Sequence, residues 1–271
     1  MSRVAYLRLA TLLLAWAAWE ALARSGLVFQ GVVPSSLTVL ASAASELGSL
    51  AFYSHLWRST EEIGVGFAVG SAAGVTLGTS MGISVFFGRM AHPYIHVLAP
   101  TPKIIFLPVL MILFGVDIGS KIAMGAISSF FPVVVATYDS VRLVPPVLLR
   151  VARSFRASRW QTVAKVYFPS MLPAIVTGMR LGLGVAIIGT LLAEIKLSNR
   201  GLGFLAIQRY ESFHIPDLYA VLLIIFALAV AANIAIGRVA DRLQRRHVMH
   251  APRQVPHRYD LKEPIRGRDR P

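Results

Sequence analysis

Between Leu148 and Pro169 the chain reads LLRVARSFRASRWQTVAKVYFP, with Arg150, Arg153, Arg156, Arg159 and Lys165 and no acid, and long apolar runs stand on both sides of it. A water-soluble core has no use for a basic block set between two stretches fit for hydrocarbon. The block is best placed as a loop between membrane spans, at a surface a partner can touch. The composition agrees: 15% of residues are charged, 55% are hydrophobic and the mean hydropathy is +0.63, whereas soluble domains carry about 25% charged residues. A net charge of +14 would point to nucleic acid in a soluble protein, but here the cations lie in the segments that join apolar runs, and topology accounts for them. With no cysteine, disulfides, thiolate catalysis and cysteine-ligated metals are excluded.

In chain order, Val4 to Ala23 is long enough to cross a bilayer, with Arg3 and Arg8 at its start and Trp16, Trp19 and Glu20 near its far end. It lacks a cleavage site followed by a polar mature domain, so it is expected to be a first span and not a removed leader. Arg24 to Glu62 is expected to be a loop carrying a surface helix over Ser35 to Leu50. A second span, Ile63 to Gly82, places Gly66, Gly70, Gly74, Gly78 and Gly82 four residues apart, which puts all five near one helix face where another helix can approach closely. The pattern does not say whether that helix belongs to the same chain.

Arg89 to Pro93 is read as a short polar turn; His92 and His96 stand one helical turn apart, but no carboxylate or third histidine beside them suggests a metal site. Tyr94 to Val116 is expected to be a broken span, because Pro100, Pro102 and Pro108 each remove a backbone donor. Lys103 lies in it, either snorkelling to the interface or facing a hydrated passage as the counter-charge of an anion. A turn from Asp117 to Lys121 leads to a fourth span, Ile122 to Ala136, containing Ser128, Ser129 and Pro132. The basic loop follows, then a fifth span, Ala174 to Ala193, with Arg180 inside it and Glu194 at its end. Ile195 to Asp217 is polar and too short to be a domain. Leu218 to Ile236 is the sixth span.

The fold class is therefore an all-α polytopic membrane protein of about six transmembrane helices. Its transmembrane domain covers residues 1–236, with the basic loop at about 139–169. Residues 237–271 form a basic tail, expected to be largely disordered beyond a short helix. Nineteen Lys and Arg fall on the side of the termini and six on the other, which sets both termini in the cytoplasm (N-in/C-in) and makes the loop cytoplasmic. No phosphate cradle is present, since GVDIGSK at Gly115 to Lys121 lacks the required spacing, and no nucleophile, acid pair or metal constellation of an enzyme is visible.

The loop resembles the cytoplasmic coupling helix of binding-protein-dependent ABC importer permeases, in particular the nitrate/sulfonate/taurine group. The motif runs through RVARSFR (Arg150 to Arg156), ASRWQ (Ala157 to Gln161) and VYFPSMLP (Val166 to Pro173). The resemblance continues in PTPKIIFLP from Pro100, FGVDIGSKIA from Phe114, GMRLGLG from Gly178, the pair Ala193 and Glu194, and GLGFL from Gly201. It covers about Ser59 to Arg246. Two positions depart from the pattern: Arg150 replaces a usual glutamate, and Arg156 replaces a glycine that serves a turn.

The resemblance implies a transport subunit of the bacterial inner membrane that is not itself an enzyme. It implies a second copy, two cytoplasmic ATPase subunits that bind the ATP and Mg²⁺, and an external solute-binding protein. This chain would hold no cofactor and bind no nucleic acid. Docking to the ATPase is then expected from Arg150, Ala152, Arg153, Phe155, Arg156, Ala157, Ser158, Trp160 and Pro169. Lys103, Ser128, Ser129 and Glu194 are expected in the substrate pathway, although Glu194 could instead pair externally with Lys196 or Arg200. The implied cargo is a small oxyanion such as a sulfonate or nitrate. The alternatives are a thiamine-precursor-like or other small organic molecule, or a secondary transporter in which the loop only sets topology.

Overall fold

The computed structural model describes residues 3–26 and 32–248. Among them the regular structure is entirely helical: α1 Arg3–Arg24, α2 Ser36–Gly48, α3 Leu50–Ile83, α4 Val85–Leu98, α5 Leu107–Phe114, α6 Ile118–Arg142, α7 Pro146–Ser154, α8 Arg159–Thr162, α9 Phe168–Leu197, α10 Leu202–Glu211 and α11 Ile215–Val248. Five helices are long and apolar enough to cross a membrane, and α4 with the Lys103–Phe114 segment makes a sixth if that bent pair is one span. The expectation of an all-helical polytopic protein of about six spans is thus borne out, with five or six spans among the described residues. The part of the tail beyond Val248 lies outside the described residues.

The core is a three-helix sandwich of α3, α6 and α9. It forms because α3 offers a glycine face and α6 lays its backbone into it. A Cβ at Gly66 would stand 2.7 Å from the Ile122 carbonyl, at Gly74 2.9 Å from that of Phe130, and at Gly78 2.7 Å from that of Val134. The glycine ladder is therefore an intrachain contact. On the other side of α6, Gly178 faces Ala136 and Gly182 the Ser129 carbonyl of the same helix. Close backbone approach of this kind replaces the hydrophobic drive that lipid removes. By contrast, α1 is nearly all exposed and is held near its far end, with Trp19 Nε1 donating to the Pro34 carbonyl, Glu20 accepting from the Ser36 amide and Trp19 edge-on to Tyr219 of α11.

Several boundaries differ from expectation. Leu50 to Glu62 is not a loop but the first thirteen residues of α3, where Arg58 and Glu62 pair across one turn. Arg89 to Pro93 is not a turn: Ser84 caps α4 by accepting the Phe87 amide, and the helix runs through Pro93. His92 and His96 stack there with ring centroids 4.0 Å apart, His92 also lying against Tyr138. The turn assigned to Asp117 to Lys121 is already helix from Ile118, and Lys121 is buried. The proline-rich break is present: α4 ends at Leu98, a 3₁₀ turn covers Lys103–Phe106, and the two halves meet at 99°.

Candidate functional site

At one end of the bundle α6, α7 and α9 meet. Val141, Val144, Met171 and Ile175 make a small core there, with Leu149, Val166 and Tyr167 against it, which seats the basic loop firmly on the base of α9. Proline at its first position starts α7, and Ala152 is its one buried residue. The helix stops by a Schellman motif: the Ala157 N–H donates to the Ala152 carbonyl at 3.0 Å and the Arg156 N–H to that of Arg153 at 2.9 Å. That motif places Arg156 at φ 52°, the left-handed region that normally falls to glycine. Ser158 then opens α8 with a reciprocal capping box. Its Oγ accepts the Gln161 N–H at 3.2 Å while Gln161 Oε1 accepts the Ser158 N–H at 2.8 Å.

Two opposed caps thus fix a rigid corner, and on it Phe155 and Trp160 stand 82% and 77% exposed. Arg150, Arg153, Arg156 and Arg159 are exposed around them, with no ion pair among the described residues. A π turn, Val163–Tyr167, leads into α9, where Pro169 is half-buried in the first turn.

At the opposite end, α3, α6, α9 and α10 converge on buried polar groups. The Glu194 carboxylate accepts from Ser59 Oγ and from the Gly203 N–H, each at 2.6 Å. Ser59 Oγ accepts the Leu202 N–H at 2.7 Å, and His55 Nδ1 the Gly201 N–H at 3.1 Å. The first N–H groups of α10 are thereby satisfied, and an anion sits where the helix dipole favours one. A Cβ at Gly201 would lie 2.5 Å from the Glu194 carboxyl carbon, so the glycine is needed for that seat. Alongside, Arg58 Nε lies 3.0 Å from Glu62 Oε1, an Arg58 terminal nitrogen 2.5 Å from Asp117 Oδ1, and Lys121 Nζ 3.9 Å from Glu62.

A family model described as "Binding-protein-dependent transport system inner membrane component" matches residues 70–248, about two thirds of the chain, and so takes in the basic loop and most of the α3–α6–α9 core. The chain belongs to that family. Among its relatives, the "Putative aliphatic sulfonates transport permease protein SsuC" of Bacillus subtilis (strain 168) is 29% identical over 229 residues, 84% of this chain and 80% of the relative. The "Taurine transport system permease protein TauC" of Escherichia coli (strain K12) is 29% identical over 252 residues, 91% and 92% of the two chains. The fold is shared with a solved structure titled "Inward facing conformations of the MetNI methionine ABC transporter", at TM-score 0.59 and 18% identity, covering 71% of this chain and 94% of that one. The resemblance to importer permeases is borne out.

Within this permease, three of the four residues expected in the pathway, Lys103, Ser129 and Glu194, hydrogen-bond inside the chain, and the buried Ser128 hydroxyl has no partner among the described residues. Lys103 turns its ammonium back onto the chain. Its Nζ donates to the carbonyls of Leu98, Ala99 and Thr101 at 3.1, 2.5 and 2.7 Å, and it lies 4.7 Å from the Phe131 ring centre. The prolines free those carbonyls and the ammonium takes them up, closing the C-terminal end of α4. Ser129 Oγ donates to the Gly125 carbonyl at 2.9 Å, and Ser128 is buried against Gly189 of α9. Glu194 pairs with neither Lys196 nor Arg200 but caps α10. Glu62, Lys121, Ser59 and His55 escaped the sequence reading. The signal that points to one of them, Glu62, is its i, i+4 spacing from Arg58 at the mouth of an apolar run, where an acid needs a partner.

The corner also yields a prediction. Arg156→Gly removes a left-handed side-chain penalty of about 1 kcal/mol. Hydrogen exchange at the Arg156 and Ala157 amides should slow by about fivefold, the change that about 1 kcal/mol produces if exchange follows local opening. An unchanged or faster rate would show that Arg156 is not strained.

Proposed function

We propose that this chain is the membrane subunit of an ATP-driven importer for a small oxyanion of the sulfonate type, working as two copies with two ATPase subunits and an external solute-binding protein in a bacterial inner membrane. The termini and the basic loop face the cytoplasm, in accord with the excess of Lys and Arg on that side. Arg150, Ala152, Arg153, Phe155, Arg156, Ala157, Ser158, Trp160 and Pro169 form or support the docking corner. ATP and Mg²⁺ bind to the partner; its closure draws the two loops together, and the spans turn from inward- to outward-facing. The names of the sulfonate and taurine relatives support the cargo class.

The observation that carries this reading is the pair Phe155 and Trp160, held exposed on a doubly capped corner. A loop that only set topology would need its arginines and not those two rings. Aromatic anchors at protein interfaces are worth about 2 kcal/mol or more each, so the double variant Phe155→Ala, Trp160→Ala should weaken retention of the cognate ATPase at least 100-fold. The measurement is co-purification in mild detergent, with the two-to-two complex of the unaltered chain as reference. Full retention by the double variant, or no ATPase held by the unaltered chain, would overturn the reading.

A further inference from the structure

In the spanning segments Arg58, Lys103 and Lys121 have acceptors within the chain. Arg180 of α9 is exposed, and among the described residues it makes no hydrogen bond and no ion pair. It stands six residues into the fifth span, about 9 Å along the axis. Helical side chains lean toward the helix N-terminus, which for α9 is the side of the basic loop. The guanidinium accordingly rests on Gly237 of α11, just past the sixth span. A Cβ there would collide with one terminal nitrogen and stand 3.3 Å from the central carbon. Beyond Gly237 the surface of α11 turns charged, with Arg238, Asp241 and Arg242 exposed. The guanidinium thus reaches the edge of the bilayer on the loop side, the level of the lipid phosphates.

An apolar groove of about 270 Å³ runs away from this point between α3, α9 and α11, with Ile63, Leu183, Ile187 and Ala232 in its walls. Leu183 and Ile187 continue the α9 face of Arg180, and Ile236, also in the wall, directly precedes Gly237. The groove shares Phe67, Ala235 and Ile236 with a wider one that includes Phe168 and Ala240, so the seam opens to the loop-side leaflet. We propose that the seam seats one anionic phospholipid of that leaflet, its phosphate on the Arg180 guanidinium and an acyl chain along Leu183 and Ile187. An unfilled apolar groove forfeits dispersion contacts, and hydrocarbon restores them. A guanidinium fork takes two phosphate oxygens at once, and basic pockets between spanning helices bind anionic heads. Charge selects the head, because Arg180, Arg238 and Arg242 stand against the single acid Asp241 on this exposed patch. A zwitterionic lipid brings a further cation to that patch and gains less. The site needs only the seam and a bilayer, so it stands whatever the chain transports.

The test is native mass spectrometry of the full-length chain in mild detergent, offered equal amounts of phosphatidylglycerol and phosphatidylethanolamine with identical acyl chains. The first lipid retained should be the anionic one by about tenfold, the factor that one charge-assisted contact supplies. Arg180→Gln should bring that preference near one. Arg238→Gln removes an exposed cation beside Gly237 and should leave the preference within about twofold, as for other exposed charges. Ala232→Trp, which fills the groove, should release both lipids. No lipid on the unaltered chain would show the seam closed by another segment or a second copy. Equal retention of the two lipids, or equal loss of preference in Arg180→Gln and Arg238→Gln, would show that Arg180 does not select the head. A lipid still held by Ala232→Trp would place the acyl chain elsewhere. Each of these results overturns the proposal, and the unaltered chain decides it even where a variant fails to fold.

Discussion

Gly70→Ala should sharply lower the temperature at which the folded, monodisperse protein is lost, while Gly64→Ala, six residues earlier on the same helix, should leave it unchanged or slightly raised. A Cβ at Gly70 would collide with the Ala126 carbonyl oxygen and the Ser129 hydroxyl, and would lie 2.9 Å from the Ala126 carbonyl carbon. The Ala126 backbone cannot yield without moving α6 away from α3 along the whole ladder. Overpacking of a closed contact costs about 1–3 kcal/mol and occasionally more, and here it recurs against backbone, so about 3 kcal/mol is expected. At Gly64 nothing lies within 4 Å, and alanine should add back up to about 1 kcal/mol of helix propensity. The readout is the temperature at which half of the monodisperse peak is lost in detergent. Equal midpoints for the two variants would show that the ladder is not the contact that holds α3 to α6.

The ladder was legible because a four-residue period on a helix selects one face, whatever the surroundings. Its partner was not, since α6 meets it with backbone carbonyls and small side chains that leave no periodic mark. The break after Leu98 could be read from three prolines, each of which deletes a donor. The role of Lys103 could not, because a sequence shows a charge in an apolar run and hides the carbonyls that the break sets free beside it. The docking corner was legible in residue type, with two large rings among arginines. Its rigidity was hidden in Arg156, where the expected glycine is missing and the Schellman bonds form regardless. The partners of Glu194 were hidden for a related reason: they are Ser59, 135 residues away, and an amide of α10, a helix the sequence marks only by Gly201 and Gly203.

The same distance in sequence conceals the ion pair of Glu62 and Lys121, and with it the second large effect. Both residues are essentially fully buried, and Lys121 meets one carboxylate at 3.9 Å. Glu62→Ala should cost about 3–5 kcal/mol, because it leaves the buried ammonium to Glu194, which shares the cluster with Glu62 and Lys121. Glu194 cannot easily replace it, being committed to Ser59 and the Gly203 amide. Lys121→Met should cost clearly less, since Glu62 keeps the Arg58 guanidinium at 3.0 Å, and Arg58 reaches the surface and Asp117. The double variant Glu62→Ala, Lys121→Met should therefore be more stable than Glu62→Ala alone, with Arg58 still held by Asp117. That ordering separates an ion-pair effect from a packing effect. Removing two side chains from a tight core would lower the midpoint further than removing one, whereas removing an orphaned charge raises it. If the double variant melts below Glu62→Ala, packing at the α3–α6 contact, not charge compensation, is what Glu62 supplies.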